Sequence, residues 1–286
     1  MVTENCVGIL SFNKKNLTKR CVNSVLDAGI VPDTVFLLHN GSEYSAQVEL
    51  ENLYPSINHR SIDQNRGYSG GFNALMEWIF SSGSNSVLFL TNDTVITKGT
   101  HEACLNTGKE TGSGIIVPTI YYIKYPDKID SSGGFFDRQR FTLSHYHEED
   151  LPLFLNPGED YVPGTAFWIT KNIFLKTNGM DESYHTYWED ADFSFRCHKA
   201  EIKIARSSDA KIFHGIGQTC HKKPLYTTFY FQRNRITFCK KFLSGKELER
   251  SLDAIKKDIL EMKKKAELGN NLNKIEYLKE LKDTLN

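Results

Sequence analysis

The stretch Val87-Leu-Phe-Leu-Thr-Asn-Asp-Thr94 runs from an unbroken apolar segment straight into polar residues. Four consecutive large apolar side chains bounded by turn residues read as a strand buried on both faces. Two earlier runs have the same form. Cys6 to Phe12 reads as the first strand and leads into Asn13. Val35 to Leu38 reads as the second and leads into the turn His39-Asn40-Gly41-Ser42. Segments of helical spacing lie between them. Leu17, Cys21, Val22, Val25 and Leu26 mark a helix over Asn16 to Ala28, and Phe72, Leu75, Met76 and Ile79 mark another over Gly70 to Phe80. Ser45 to Leu53 is also expected to be helical, and Ser61 to Asp63 to be a short third strand. Strand and helix thus alternate through the first hundred residues, which predicts a parallel sheet covered on both faces. Ligands of such sheets sit outside the carboxyl ends of the strands. Three polar clusters fall at those ends: Asn13, His39-Asn40 and Asn92-Asp93-Thr94.

The chain has 286 residues, enough for one large α/β domain or two modest ones. Its 35 Lys and Arg balance 35 Asp and Glu. A nucleic-acid binder usually carries a basic excess, so no nucleic-acid partner is expected. A 40% apolar and 24% charged composition is that of a folded domain rather than a disordered chain. No run approaches the roughly 20 apolar residues of a membrane span. The opening MVTENCVGIL has no basic n-region or long apolar core and is not read as a signal peptide. The six cysteines are scattered without a CxxC pair, which suits free thiols and a cytoplasmic setting.

Beyond residue 100 the pattern loosens. Tyr121 to Gln139 reads as loops or a hairpin, and His145 to Asp160 as a polar, acidic loop. Tyr161 to Thr170 reads as a strand, Asn172 to Thr177 and Asp190 to Ala200 as helices, Ile202 to Ala205 and Ala210 to His214 as two strands, and Thr227 to Phe242 as a helix. From Gly245 the composition turns to Lys, Glu and Leu, with 10 basic and 9 acidic residues. Two amphipathic helices separated near Gly269-Asn270-Asn271 are expected there. They would pack on the rest of the chain or on a second copy, or else rest peripherally on anionic lipid.

Four clusters carry chemistry. Asp93 ends a buried strand, where a carboxylate either holds a divalent cation or caps a turn. Glu189, Asp190 and Asp192 place three carboxylates within four positions. Such a group suits a general base or a metal, or is a solvated acidic turn partnered by Arg196. Beside them, Tyr187 and Trp188 offer flat apolar faces for a sugar ring. His214, at a strand end in His214-Gly-Ile-Gly-Gln-Thr219, is a metal ligand or a structural histidine. In Asn65-Arg-Gly-Tyr-Ser-Gly-Gly-Phe-Asn73, glycines before a helix either admit phosphate to the backbone or start the helix.

Taken in order, SFN, HNGS, NRGYSGGFN, LTNDT, PGTAFWI, GMDESYHTYWEDADFSFR, HGIGQT and YFQRNR resemble the inverting family 2 glycosyltransferases, most of all their rhamnosyltransferase-like branch. The resemblance spans roughly residues 5 to 242. It implies a GT-A fold: a Rossmann-like α/β architecture with a mixed, mostly parallel sheet flanked by helices. Residues 1–242 would form the transferase domain, with 1–100 as the nucleotide-sugar half and 101–242 as the acceptor half. Residues 243–286 would form a C-terminal helical extension. The reaction implied moves a sugar from a UDP- or dTDP-linked donor to a glycan or lipid-linked glycan hydroxyl in bacterial-type surface polysaccharide synthesis, in the cytoplasm or at the inner membrane face.

The resemblance also assigns residues. Asp93 matches the last acid of the Asp-x-Asp motif and would hold Mg²⁺ or Mn²⁺, with His214 as a further metal contact. Asp190 matches the acid of the Glu-Asp motif and would be the general base. Asn13, Asn40, Asn65, Arg66, Asn92 and Arg233 fall in donor-binding segments, and Trp188 and Glu189 would face the acceptor. Two positions depart from the family pattern. Thr91 replaces the first acid of Asp-x-Asp, and His39 replaces the acid that often meets the nucleobase. Asn40 could take over the latter contact, since an amide both donates and accepts. A non-catalytic sugar- or nucleotide-binding protein on this fold, or a sugar nucleotidyltransferase, are the alternative readings.

Overall fold

A computed structural model describes residues 5–215 and 224–269, together with residues 271, 274, 278 and 281. The opening alternation holds. The elements β1 (Asn5–Ser11), α1 (Lys15–Asp27), β2 (Val35–Asn40), α2 (Tyr44–Leu53), β3 (Asn58–Ile62), α3 (Gly67–Ser81) and β4 (Ser86–Thr91) follow one another. The four strands pair in parallel in the order β3-β2-β1-β4. β3 starts three residues before the expected Ser61, because pairing with the wholly buried β2 draws Asn58 and His59 into the ladder.

The next elements are β5 (Thr94–Ile96), α4 (Thr100–Thr111), β6 (Ile115–Tyr122), β7 (Ile129–Ser131), β8 (Gly134–Asp137) and β9 (Thr142–His145). Within the stretch expected to be loops or a hairpin, β7 pairs antiparallel with the end of β6, and β8 pairs with β9 just beyond it. After them come β10 (Asp160–Tyr161), β11 (Ala166–Thr170), α5 (Lys171–Thr177), α6 (Glu189–Lys199) and β12 (Ala205–His214). The single strand expected over Tyr161 to Thr170 is two strands, interrupted at Val162-Pro163-Gly164-Thr165. Proline cannot donate to a ladder, and Pro163 stands within the break. Conversely, the two strands expected after Ile202 are one, bulged between Ser207 and Lys211.

The large sheet runs β3-β2-β1-β4-β11-β6-β12-β5, with β7 added on β6. β11 enters antiparallel between β4 and β6, and β12 lies parallel to β6. The sheet is thus mixed and flanked by helices, in line with the expected architecture. One face packs on α3, α5 and α6 through Phe72, Phe89, Phe167, Phe174 and Phe193. The other packs on α1, α2 and α4 through Val22, Leu37, Leu50, Leu88 and Cys104.

A third cluster lies beyond the sheet. α7 (Pro224–Phe242) and α8 (Gly245–Leu268) close over Phe136, Trp188 and Phe195. Ile255 and Ile259 of α8 are buried there, as are Leu278 and Leu281. The apolar face of α8 is therefore spent on its own chain. Most of the second tail helix, and the segment HGIGQT beyond Gly215, lie outside the described residues. No described helix is long and apolar enough to cross a membrane.

Candidate active site

The ends of β1, β2 and β4, the start of α3, residues 163–165, residues 185–190 and the end of β12 surround one cavity of about 720 Å³. Asn13, Asn40, Asn65, Asn92, Asp93, Trp188, Glu189, Asp190 and His214 all line it.

Asp93 sits in the two-residue turn between β4 and β5. β12 runs antiparallel to β5, with His214 in register with Thr94, which brings His214 beside the acid. His214 Nε2 lies 3.5 Å from Asp93 Oδ2. Its Nδ1 lies 2.9 Å from Asp130 Oδ2. Burial works against a charge on the imidazole, but its bonds to Asp130 and Asp93 outweigh this and hold its pKa up at about 9. Burial would raise the Asp93 pKa, but His214 prevails and lowers it. Thr91, where the family has an acid, donates from its hydroxyl to Asp93 Oδ1 at 2.8 Å. One carboxylate oxygen is thereby oriented, and the other faces His214. This donor set fits a divalent cation, whose binding would displace the Nε2 proton of His214. A carboxylate and an imidazole converge on the cavity, and the imidazole is steered from behind by a second carboxylate.

Asp190 opens α6. Its Oδ2 accepts from the Gly164 N–H at 3.0 Å and its Oδ1 from the Ala191 N–H at 2.8 Å. Burial raises its pKa to about 6 against the pull of those amides. Glu189 beside it is 5% exposed, and its Oε2 has no hydrogen-bond partner. Burial, and then the charge of Asp190, push its pKa well above the ordinary value. Burial and the neighbouring charge thus disfavour a second negative charge on Glu189 beside Asp190.

The loop that delivers these acids is tightly held. His185, Tyr187 and Trp188 all have positive φ, at 61°, 67° and 74°. Asn234 on α7 donates to the carbonyls of Tyr184, Thr186 and Tyr187 at 2.7–2.8 Å. The His185 carbonyl accepts from the Tyr68 N–H at 2.6 Å, and the Tyr68 hydroxyl donates to the Gly164 carbonyl.

Several residues expected to touch ligands also bond within the protein. Asn92 donates inward to Thr18 Oγ1 at 2.9 Å, tying the end of β4 to α1. Asn40 donates to the Gly67 carbonyl at 2.7 Å and accepts from the Arg66 N–H at 3.0 Å. Asn65 accepts from the Gly67 N–H, and Asn13 from the Glu43 N–H. These four asparagines shape the cavity wall through the backbone they hold. The guanidinium of Arg66 forms a two-oxygen ion pair with Glu182 and is not in the cavity lining. Nor is Arg233, which grips the Ser183 and Tyr184 carbonyls and stacks over Tyr230. Trp188 is no open platform. Its indole is 1% exposed among Phe136, Phe231 and Phe238, leaving Tyr187, His185 and Tyr226 as the more open rings of the lining.

His39 is also displaced from its expected place. Side chains alternate along β2, so His39 points to the α1 and α2 side while Asn40 points to α3. Burial, aided by the adjacent His59, holds its imidazole down at about 4, hence neutral. Sequence reading missed Asp130, Tyr68 and Gly164. Asp130 lies in a polar stretch with nothing to mark it. Only the pairing of β7 with β6, itself beside β12, carries it to His214.

Residues 6–177, more than half of the chain, match the family model for Glycosyl transferase family 2. The chain belongs to glycosyl transferase family 2. None of the curated proteins matches it in sequence. Among solved structures, GalNAc-T7 with UDP, GalNAc and Mn²⁺ superposes with a TM-score of 0.63 at 11% identity, over 82% of this chain and 47% of that one. TarS of S. aureus superposes with a TM-score of 0.55 at 13% identity, over 89% and 42%. At such identities the likeness is one of fold. This family 2 chain spans less than half the length of either.

Proposed function

We propose that the chain is an inverting glycosyltransferase, moving a sugar from a UDP- or dTDP-linked donor to a hydroxyl of a glycan acceptor. The observation that carries this reading is that Asp190, ready to take a proton near neutral pH, and the Asp93–His214 pair line one cavity. Asp190 would accept the acceptor hydroxyl's proton, and the amides of Gly164 and Ala191 hold its oxygens in place. Asp93 and His214 would hold Mg²⁺ or Mn²⁺, which when bound neutralises charge on the leaving diphosphate. The wall lined by the four asparagines would bind the donor. Tyr187 and the rings of His185 and Tyr226 would face the acceptor sugar. A lipid-linked acceptor at a membrane, within surface polysaccharide synthesis, is the setting that the family resemblance favours.

The test is transfer from UDP- and dTDP-sugars to an oligosaccharide panel with Mn²⁺ present, reading product and anomeric configuration by NMR. The proposal expects an inverted product and its loss in Asp190→Asn. Near-normal transfer by that variant, or retention of configuration, would overturn the assignment of the base. Release of pyrophosphate with a nucleotide sugar as product would point instead to a nucleotidyltransferase.

A further inference from the structure

We infer that His39, His59 and Glu51 form a transition-metal site of the zinc class, on the α2 side of the sheet and separate from the Asp93–His214 pair. One ligand atom from each lies within 4.8 Å of the other two. His39 Nε2 and His59 Nδ1 are 3.4 Å apart. Nitrogens about 2.0–2.1 Å from a tetrahedral zinc stand about 3.3–3.4 Å from each other. That spacing is also longer than a good hydrogen bond.

The tautomer of His59 suits the role. Its Nε2 lies 3.0 Å from the Tyr54 carbonyl, which can only accept. Nε2 therefore carries the proton, and the Nδ1 lone pair is presented to His39. A backbone carbonyl behind a metal-binding imidazole is the usual outer support of such a ligand. His39 is wholly buried, and the nitrogen it turns to His59 is Nε2. The two imidazoles lie near parallel, 8° apart.

The three ligands come from β2, the edge strand β3 and α2. Glu51 is exposed, so its carboxylate can swing onto the metal, and solvent can supply a fourth ligand. Two imidazoles with one carboxylate favour Zn²⁺, Ni²⁺ or Cu²⁺ over the oxygen-seeking Mg²⁺ and Ca²⁺. None of the three residues lines the cavity. A metal here would staple the sheet edge to α2 next to Asn40, which holds the Asn65–Gly67 loop. The inference does not depend on glycosyl transfer.

The experiment titrates Zn²⁺ alone into the chelator-treated full chain, reading stoichiometry and melting temperature, with Co²⁺ absorption to report tetrahedral geometry. Wild type and Asp93→Asn should each bind one Zn²⁺ at this site and melt higher with it. His59→Gln should weaken binding by at least about 10-fold, and Glu51→Gln should weaken it as well. Glu51 is on the surface, so Glu51→Gln keeps the test valid should His59→Gln fold poorly. No Zn²⁺ response in wild type overturns the inference, as does binding unchanged by His59→Gln and Glu51→Gln. Binding lost only in Asp93→Asn assigns the metal to the cavity and overturns it too.

Discussion

Asp190 is the residue on which chemistry and stability pull in opposite directions. As a base it works only when ionised, so kcat/KM should rise with pH through about 6 and level off above it. Asp190→Asn should lower turnover about 10²–10⁴-fold. The same shift has a stability sign. A carboxylate whose folded pKa is raised binds its proton more tightly in the fold, so stability falls as pH climbs from about 4 to about 6. Asp190→Asn should therefore melt above wild type at pH 8, by at most about 3 kcal/mol in stability, and match it near pH 4. Thr91 poses a separate residue-scale question. Its hydroxyl orients Asp93 where the family has an acid. Thr91→Asp should strengthen Mn²⁺ binding and lower the metal-free melting temperature, because two carboxylates would then face each other without a cation. A Mn²⁺ titration followed by calorimetry checks both.

At the scale of elements, glycine decides how the helix α3 meets the loop before α6. Gly67 has φ of +74°, and a Cβ there would sit 2.3 Å from the His185 carbonyl oxygen. Gly67→Ala should cost about 1–3 kcal/mol and reduce donor affinity, since the Asn40 and Asn65 bonds to this backbone would move with it. Thermal unfolding and nucleotide binding on the same sample test this. The elements that sequence reading found were those with local signals. β1, β2 and β4 are continuous apolar runs, and α1 and α3 have clean helical spacing. What escaped was set by distant pairing. Ile115–Tyr122 is as apolar as β4, yet its place between β11 and β12 depends on segments about 50 to 90 residues later. The site divides the same way. The acids Asp93 and Asp190 stand in dense motifs. Asp130 acquires meaning only through the sheet, and the bonds by which the cavity-lining asparagines hold their neighbours depend on the same long-range packing.

At the scale of the molecule, the C-terminal helices are part of the site's support. Arg235 on α7 holds the Phe141 carbonyl and pairs with Asp258 on α8, and α8 covers the cluster that buries Trp188. No residue of α8 lines the cavity. A chain ending at Phe242 should nevertheless melt several degrees lower and lose most of its activity, because the left-handed turn into Asp190 rests on that cluster. An activity near wild type in a folded truncation would detach the tail from the site. The antiparallel β11 has a further consequence, in the order of synthesis. β4 finds β1 within its first ninety residues, but its other edge waits for β11, about 75 residues further on. A nascent chain thus carries Val87 to Leu90 along an unclosed sheet edge for several seconds at ordinary elongation rates. The centre of the finished sheet is sealed long after its first strands have paired, so the hazard of mispairing belongs to the ribosome-bound chain rather than to the mature fold.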